Sequence, residues 1–234
     1  MAYWVLKIVL SPFLFILFRV KITNGRSVPK RGQVILAANH QSFCDSFFLP
    51  LCVARKVTYL AKAEYFDDAK TAWFFRAAGQ IPIRRGGGDA SRRALDTAHE
   101  VLSKGSIIGL YPEGTRAIDD YVHKGRTGVA RLALESGAPV VPVGLVGTVD
   151  AQPVGARMLR PLHKVTVNFG TPLRITPEDV QAAGSEHAAL RAFTDQLMAA
   201  ISELSGRPYL DEYIPKRDAS SVSGDGVSSS SPAA

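Results

Sequence analysis

Val34-Ile35-Leu36-Ala37-Ala38-Asn39-His40-Gln41-Ser42-Phe43-Cys44-Asp45 joins an unbroken apolar run to a segment holding an imidazole, a hydroxyl, a thiol and a carboxylate. A short apolar run bounded by polar residues reads as a strand buried on both faces. In α/β proteins the loops at the carboxyl ends of such strands carry the chemistry. Residues five apart on a regular helix point about 140° from each other. A working His40–Asp45 pair therefore needs His40 in the bend before a helix and Asp45 in its first turn. Taken alone, such a pair is more often a helix cap beside an ordinary histidine, so the rest of the chain decides.

Strands are expected at Val34 to Ala38, Val57 to Ala61, Ile81 to Ile83, Ser106 to Tyr111, Val140 to Val146 and Lys164 to Phe169. Helical patterns lie between most of them. Asp89-Ala90-Ser91 is placed to cap a helix whose Leu95, Ala98, Val101 and Leu102 share a face and which stops at Gly105. Thr127 to Ser136 reads as another, ended by Gly137. Thr176-Pro177 opens a third by cap and proline rules, Gly184 breaks it, and Ser185 restarts a helix to about Ser205. Alternation of this kind predicts an α/β fold: one domain with a mixed central sheet flanked by helices. Pro142, inside an apolar strand, is expected at a bend or edge.

Three more segments follow the first in order: Gly79-Gln80-Ile81-Pro82-Ile83-Arg84-Arg85, Tyr111-Pro112-Glu113-Gly114-Thr115-Arg116 and Val140-Val141-Pro142-Val143-Gly144. With Asn39-His40 and Asp45, these blocks resemble the glycerolipid acyltransferase family, specifically the 1-acylglycerol-3-phosphate O-acyltransferases that make phosphatidic acid. The resemblance runs from the apolar start to about Gly170. It implies His40 and Asp45 as catalytic residues. It also implies Arg84, Arg85, Glu113, Gly114, Thr115 and Arg116 as contacts to the acceptor's phosphate and glycerol. Arg85 aligns with the family's motif arginine, while Arg84 stands where relatives often carry an acidic or variable residue. Lys124-Gly125-Arg126-Thr127-Gly128 is also family-like. Its Lys124 and Arg126 read either as further phosphate contacts or as surface charge beside a helix cap. Gly86-Gly87-Gly88 reads as a backbone cradle for phosphate or as a linker, and Arg92 and Arg93 as solvated or membrane-facing.

The chain has 234 residues, 46% of them hydrophobic, enough to bury one substantial core. Its formal charge of +7 points to an anionic partner, either a bilayer surface or phosphate-bearing substrates. No zinc-finger spacing or RNA-binding aromatic motif accompanies that charge, which argues against nucleic acid. Cys44 and Cys52 are the only cysteines. They suit a reducing compartment, and Cys44 reads as a small buried residue and not a nucleophile. His99, His123, His163 and His187 are scattered without metal-ligand spacing, so no metal is expected.

Within residues 1–22, Tyr3 to Phe18 form an apolar run interrupted by Lys7 and Pro12, with Tyr3 and Trp4 at its start and Arg19 and Lys21 after its end. That run falls short of the roughly 20 residues that cross a bilayer, so an inserted or interfacial anchor helix is expected at 1–22, ahead of the acyltransferase domain at 23–215. Residues 216–234 are too polar to offset the entropy of ordering and read as a disordered tail.

The mechanism implied is one direct transfer. A neutral His40, oriented by Asp45, takes the proton of the acceptor hydroxyl as that oxygen attacks an acyl thioester. Ser42 need not attack anything, and its expected role is to bond backbone near the helix start. The co-substrate is acyl-CoA or an acyl carrier protein, the acceptor is lysophosphatidic acid, and no bound cofactor is needed. A membrane-associated location on the cytoplasmic face is expected, the cell membrane if the source is bacterial. A different lysophospholipid or glycerol-phosphate acceptor, a hydrolase, and a non-catalytic membrane-binding scaffold are the alternatives.

Overall fold

The computed structural model describes residues 2–83, 87–153, 155–156 and 158–215. Arg84, Arg85, Gly86 and the tail expected from 216 lie outside these described residues. In chain order the elements are α1 (Ala2–Leu17), β1 (Lys21–Thr23), β2 (Val34–Ala38), α2 (Asp45–Leu51), β3 (Val57–Lys62), α3 (Ala69–Ala77), β4 (Ile81–Ile83), α4 (Gly87–Ser103), β5 (Ile107–Leu110), β6 (Val122–His123), α5 (Gly128–Ser136), β7 (Val140–Val146), α6 (Thr148–Ala151), β8 (Thr166–Phe169), α7 (Pro177–Ala182), α8 (Glu186–Ser205) and β9 (Tyr209–Leu210).

Seven strands form one sheet in the order β1-β8-β7-β2-β5-β3-β4. All its pairings are parallel except β7 with β8, so the sheet is mixed, as expected. All five residues of β2 are fully buried, because β2 lies between β5 and β7 with packed side chains on both faces. One face is covered by α4, α5 and α8 through Ala98, Leu102, Leu132, Leu190 and Leu197. The other is covered by α2 through Leu49, with Val53 just beyond its end. Gly144 lets α8 approach β7: an added Cβ there would stand 2.2 Å from the backbone carbon of Leu204. The short strands β6 and β9 pair separately and bring the chain's last described segment against residues 122–124.

Pro142 is neither at an edge nor at a bend, which corrects the expectation. It lies in β7 between β2 and β8, paired with Ala37 on the β2 side. On the other side the ladder to β8 starts only at Val143, and the next pairing is the bridge from Val140 to Leu173. The missing N–H therefore falls at an interruption of the ladder, where proline is tolerated. Thr176 and Asp179 form the capping box that opens α7, and Ser185 caps α8 as its sequence suggests.

None of the described helices is long and apolar enough to cross a membrane. At 16 residues α1 reaches about 24 Å, short of a hydrocarbon core of about 30 Å. Lys7 breaks its apolar pattern because it turns inward. Its ammonium donates to the carbonyls of Pro50 (2.8 Å) and Val53 at the end of α2, and burial holds its pKa below the usual lysine value. The opposite side of α1 leaves Val5, Ile8, Val9, Phe13 and Ile16 exposed. A boundary drawn after residue 22 cuts through β1, so the sheet takes the chain from Lys21 onward.

Candidate active site

β2 and β5 are adjacent parallel strands, so the segments that follow them, residues 39–45 and 111–117, emerge side by side at their carboxyl ends. His40 sits in the bend and Asp45 is the first residue of α2. Nδ1 of His40 lies 2.9 Å from Oδ2 of Asp45. The carboxylate is fully buried and the imidazole is 17% exposed. Oδ2 also accepts the main-chain N–H groups of Gln41 (2.8 Å) and Ser42 (2.9 Å), so one oxygen folds the bend and aligns the ring. Because Oδ2 accepts, Nδ1 carries the proton and Nε2 is the bare nitrogen, facing no protein partner among the described residues.

Neighbouring residues hold this geometry. Asn39 continues the sheet with its side chain: Nδ2 donates to the Leu145 carbonyl (3.0 Å) and Oδ1 accepts the Leu145 N–H (2.7 Å). The ring of Tyr111 stacks on that of His40, centroids 3.8 Å apart. Ser42 is buried and its hydroxyl donates to the Gln152 carbonyl at 2.7 Å, consistent with a backbone-bonding role. Cys44 is 1% exposed, and burial pushes its thiol up to about 12. An inert packing residue fits both facts.

Glu113, read in the sequence as an acceptor for glycerol hydroxyls or a partner that orients an arginine, is held here by main-chain groups. It is 2% exposed. Its Oε2 accepts the main-chain N–H of His40 (2.8 Å) and its Oε1 that of His123 (3.0 Å). Both oxygens are thus occupied within the protein. Burial raises its pKa to about 7 against the pull of these two donors. Four residues on, the Ala117 N–H donates to the His40 carbonyl (2.8 Å), so residues 113–117 grip both main-chain groups of the histidine. Gly114, at φ 81°, makes the turn that allows this. Thr115 is exposed and Arg116 half-buried beside it.

Lys124 pairs with Asp211 at 2.9 Å. Arg126 lies across Gly114 and against the ring of Tyr213. Arg126 therefore reaches the 111–117 segment, while Lys124 is held at the last described segment by Asp211 and Tyr213, and Arg92 and Arg93 are exposed on α4. Gly87 and Gly88 open α4. Sequence reasoning missed Asn39, Tyr111 and His123. The Nε2 of His123 lies 2.9 Å from both oxygens of Asp119, whose carbonyl accepts from the Gln41 side chain (3.0 Å). A His and an Asp four apart were the signal available for that pair. An aromatic group of Phe43, Phe47, Tyr65, Phe74 and Phe75 packs next to the bend, its ring centroids 4.9–6.5 Å apart.

This arrangement offers a buried carboxylate, an oriented imidazole with one bare nitrogen, an apolar aromatic wall and nearby cations. It suits proton transfer beside a ligand that is part apolar and part anionic. The chain is 28% identical to the 1-acyl-sn-glycerophosphate acyltransferase PlsC of Thermotoga maritima, with a TM-score of 0.63 over 80% of this chain and 73% of that one. It is 27% identical to the 1-acyl-sn-glycerol-3-phosphate acyltransferase of Bacillus subtilis over 80% of this chain and 89% of the relative. It is 25% identical to a chloroplastic 1-acyl-sn-glycerol-3-phosphate acyltransferase of Arabidopsis thaliana over 76% of this chain and 50% of the relative. The chain thus spans about half the length of the plant relatives it matches. The acyltransferase family model matches residues 19–146, more than half of the sequence and the span that holds His40, Asp45 and Glu113, and the chain belongs to that family.

Proposed function

We propose that the protein transfers a fatty acyl group from acyl-CoA or an acyl carrier protein to 1-acylglycerol-3-phosphate, forming phosphatidic acid. The observation that carries this reading is the His40–Asp45 contact of 2.9 Å, which leaves Nε2 without a protein partner among the described residues. The names of the bacterial and plant relatives support the choice of acceptor.

Nε2 of His40 accepts the acceptor's hydroxyl proton as that oxygen bonds to the thioester carbonyl carbon. The imidazolium that forms is stabilised by the Asp45 carboxylate. When the tetrahedral intermediate collapses, the C–S bond breaks and the imidazolium returns its proton to the leaving sulfur. No acyl-enzyme forms, in keeping with the inward hydroxyl of Ser42 and the buried thiol of Cys44. Arg116 and Arg126, with Arg84 or Arg85, supply guanidinium groups for the phosphate. The aromatic group beside Phe43 receives the start of an acyl chain.

Acceptor and product are membrane lipids, so the exposed side of α1 lies in the bilayer interface on the cytoplasmic face, where it spares the lipids full extraction. The test is purified protein with labelled acyl-CoA and 1-acylglycerol-3-phosphate, beside His40→Ala. Phosphatidic acid formed by the wild type alone is the expected result. Activity that survives His40→Ala overturns the general-base role, and product only from another acceptor overturns the named substrate. Fatty acid released without acceptor makes the protein a hydrolase.

A further inference from the structure

The segment between α6 and β8 carries side chains the acyl-transfer site does not use. Met158 is 81% and Leu162 66% exposed, with Leu159 partly so. Arg160, His163 and Lys164 are exposed among them. Leu162 has φ 70°, one of three non-glycine residues in the left-handed region among the described residues. That conformation is disfavoured for a leucine, and an outward-facing side chain recovers nothing for it from the core.

The backbone of this segment is tied to the end of α1. Leu162 donates to the Leu17 carbonyl (2.9 Å), Val165 to that of Phe18 (3.0 Å) and Arg160 to that of Ala151 (2.7 Å). The exposed apolar residues of 158–162 are therefore tethered beside the C-terminal end of α1, the end that carries the exposed Phe13 and Ile16. Arg19 and Lys21, both exposed, add cations at the same end. The segment begins at Gln152, whose carbonyl accepts the Ser42 hydroxyl, so it is also anchored to the loop that carries His40.

An apolar patch rimmed by cations matches a bilayer of anionic lipids: the apolar tips enter the acyl boundary while the cations remain at the phosphates. We propose that residues 158–164 form a second membrane-insertion element, docking together with α1 on an anionic bilayer. The proposal rests on the reading of α1 as an interfacial helix and goes beyond it. A single helix lying in the interface leaves the protein free to roll about that helix. A second contact from another part of the chain removes that freedom and sets the height of the His40 loop above the lipid.

Single-site fluorescent labelling tests it. Cys44 is buried and Cys52 half-buried, and each thiol is pushed up to about 12 and so stays unreactive at neutral pH. An environment-sensitive dye is therefore attached at Leu162→Cys or Phe13→Cys. Glu178→Cys on α7, which packs on α8 across the sheet, is the control. With phosphatidylglycerol-containing vesicles, emission is expected to shift to the blue at 162 and 13 and to stay unchanged at 178. A shift at 13 without one at 162 overturns this proposal and leaves α1 interfacial. No shift at either overturns both. A shift at 162 of equal size on pure phosphatidylcholine overturns the anionic-lipid assignment. Leu162→Gly relieves the left-handed backbone, so it is expected to keep or raise the Tm while vesicle partitioning falls about tenfold. Unchanged partitioning in that folded variant overturns the insertion role.

Discussion

The imidazole of His40 lies flat on the ring of Tyr111, with centroids 3.8 Å apart and planes 10° from parallel. Behind it Tyr59 stacks on Tyr111 at 5.7 Å, and the Ser46 hydroxyl lies 2.9 Å from the Tyr111 hydroxyl. Asp45 thus fixes the imidazole at its edge and Tyr111 fixes it at its face. Tyr111→Phe keeps the face and loses the hydroxyl's contacts to Ser46 and Tyr59, neither of which touches the imidazole, so kcat should fall by no more than about threefold. Tyr111→Ala lets the ring tilt, and a misplacement of about 1 Å costs about 10²-fold in rate. Steady-state kcat for the two variants checks this, and equal activity in both removes Tyr111 from the positioning of His40.

The three hydrogen bonds accepted by Asp45 all fall on Oδ2, while Oδ1 is buried with no hydrogen-bond partner among the described residues. Asparagine can therefore place its carbonyl where Oδ2 stands and keep all three donors, losing the charge and setting an amide NH2 at the buried Oδ1 position, at a modest cost in stability. Asp45→Asn should fold, and its kcat should drop about 10²-fold or more because the developing imidazolium loses its counter-charge. A kcat within a few-fold of wild type, with unchanged circular dichroism, contradicts the charge role.

Glu113 makes stability depend on pH. An unburied glutamate titrates at 4.5 and Glu113 at about 7. Between those values the folded chain keeps a proton that the unfolded chain has lost. The contribution is therefore full below pH 4.5, falls as pH rises and is gone above about 7. The span is on the order of 3 kcal/mol. Glu113→Gln does not titrate, so the wild type's stability relative to this variant should decline between pH 4.5 and 8. Urea unfolding at both pH values measures it, and a constant difference refutes the raised pKa.

Much of this architecture is legible in the sequence, for physical reasons. β2, β5 and β7 sit at the centre of the sheet with both faces covered, so they carry no charged or amide side chain and the runs at 34–38, 107–110 and 140–146 stand out. β1, β6 and β9 have two or three residues each and form only because a partner is already in place, so no local pattern marks them. The bend between His40 and Asp45 follows from helix geometry alone. The task of Glu113 does not, because it depends on main-chain donors 73 and 10 residues away in sequence. Lys7 looks like a flaw in an anchor until the carbonyls at the end of α2 are in view.

Gly144 tests the packing of α8 on β7. A Cβ at that position meets the Leu204 backbone carbon at 2.2 Å and the Ser205 nitrogen at 2.5 Å, groups that cannot swing aside like the end of a side chain. Gly144→Ala should therefore cost about 1–3 kcal/mol or more by overpacking. A Tm equal to wild type means that α8 is free to shift.

The last relationship joins the end of the described chain to the site. Tyr213 lies against Arg126 (5.4 Å from guanidinium to ring centroid) and Lys124 (5.7 Å), while a Cβ at Gly114 would stand 3.1 Å from the Arg126 Nε. Arg126 is thus held between a turn of the His40 clamp and an aromatic face. If it grips the acceptor phosphate, its loss weakens binding of ground and transition states alike, so KM rises while kcat is nearly unchanged. A partly exposed cation–π contact contributes about 0.5–1 kcal/mol, so Tyr213→Ala should raise the acceptor KM about two- to fivefold. Arg126→Lys keeps the charge without the planar fork and should raise KM further, and Arg126→Ala further still. KM measured against 1-acylglycerol-3-phosphate for the three variants gives that order. A KM untouched by Arg126→Ala assigns the guanidinium to holding Tyr213 and leaves the phosphate to Arg116 and the arginines after β4.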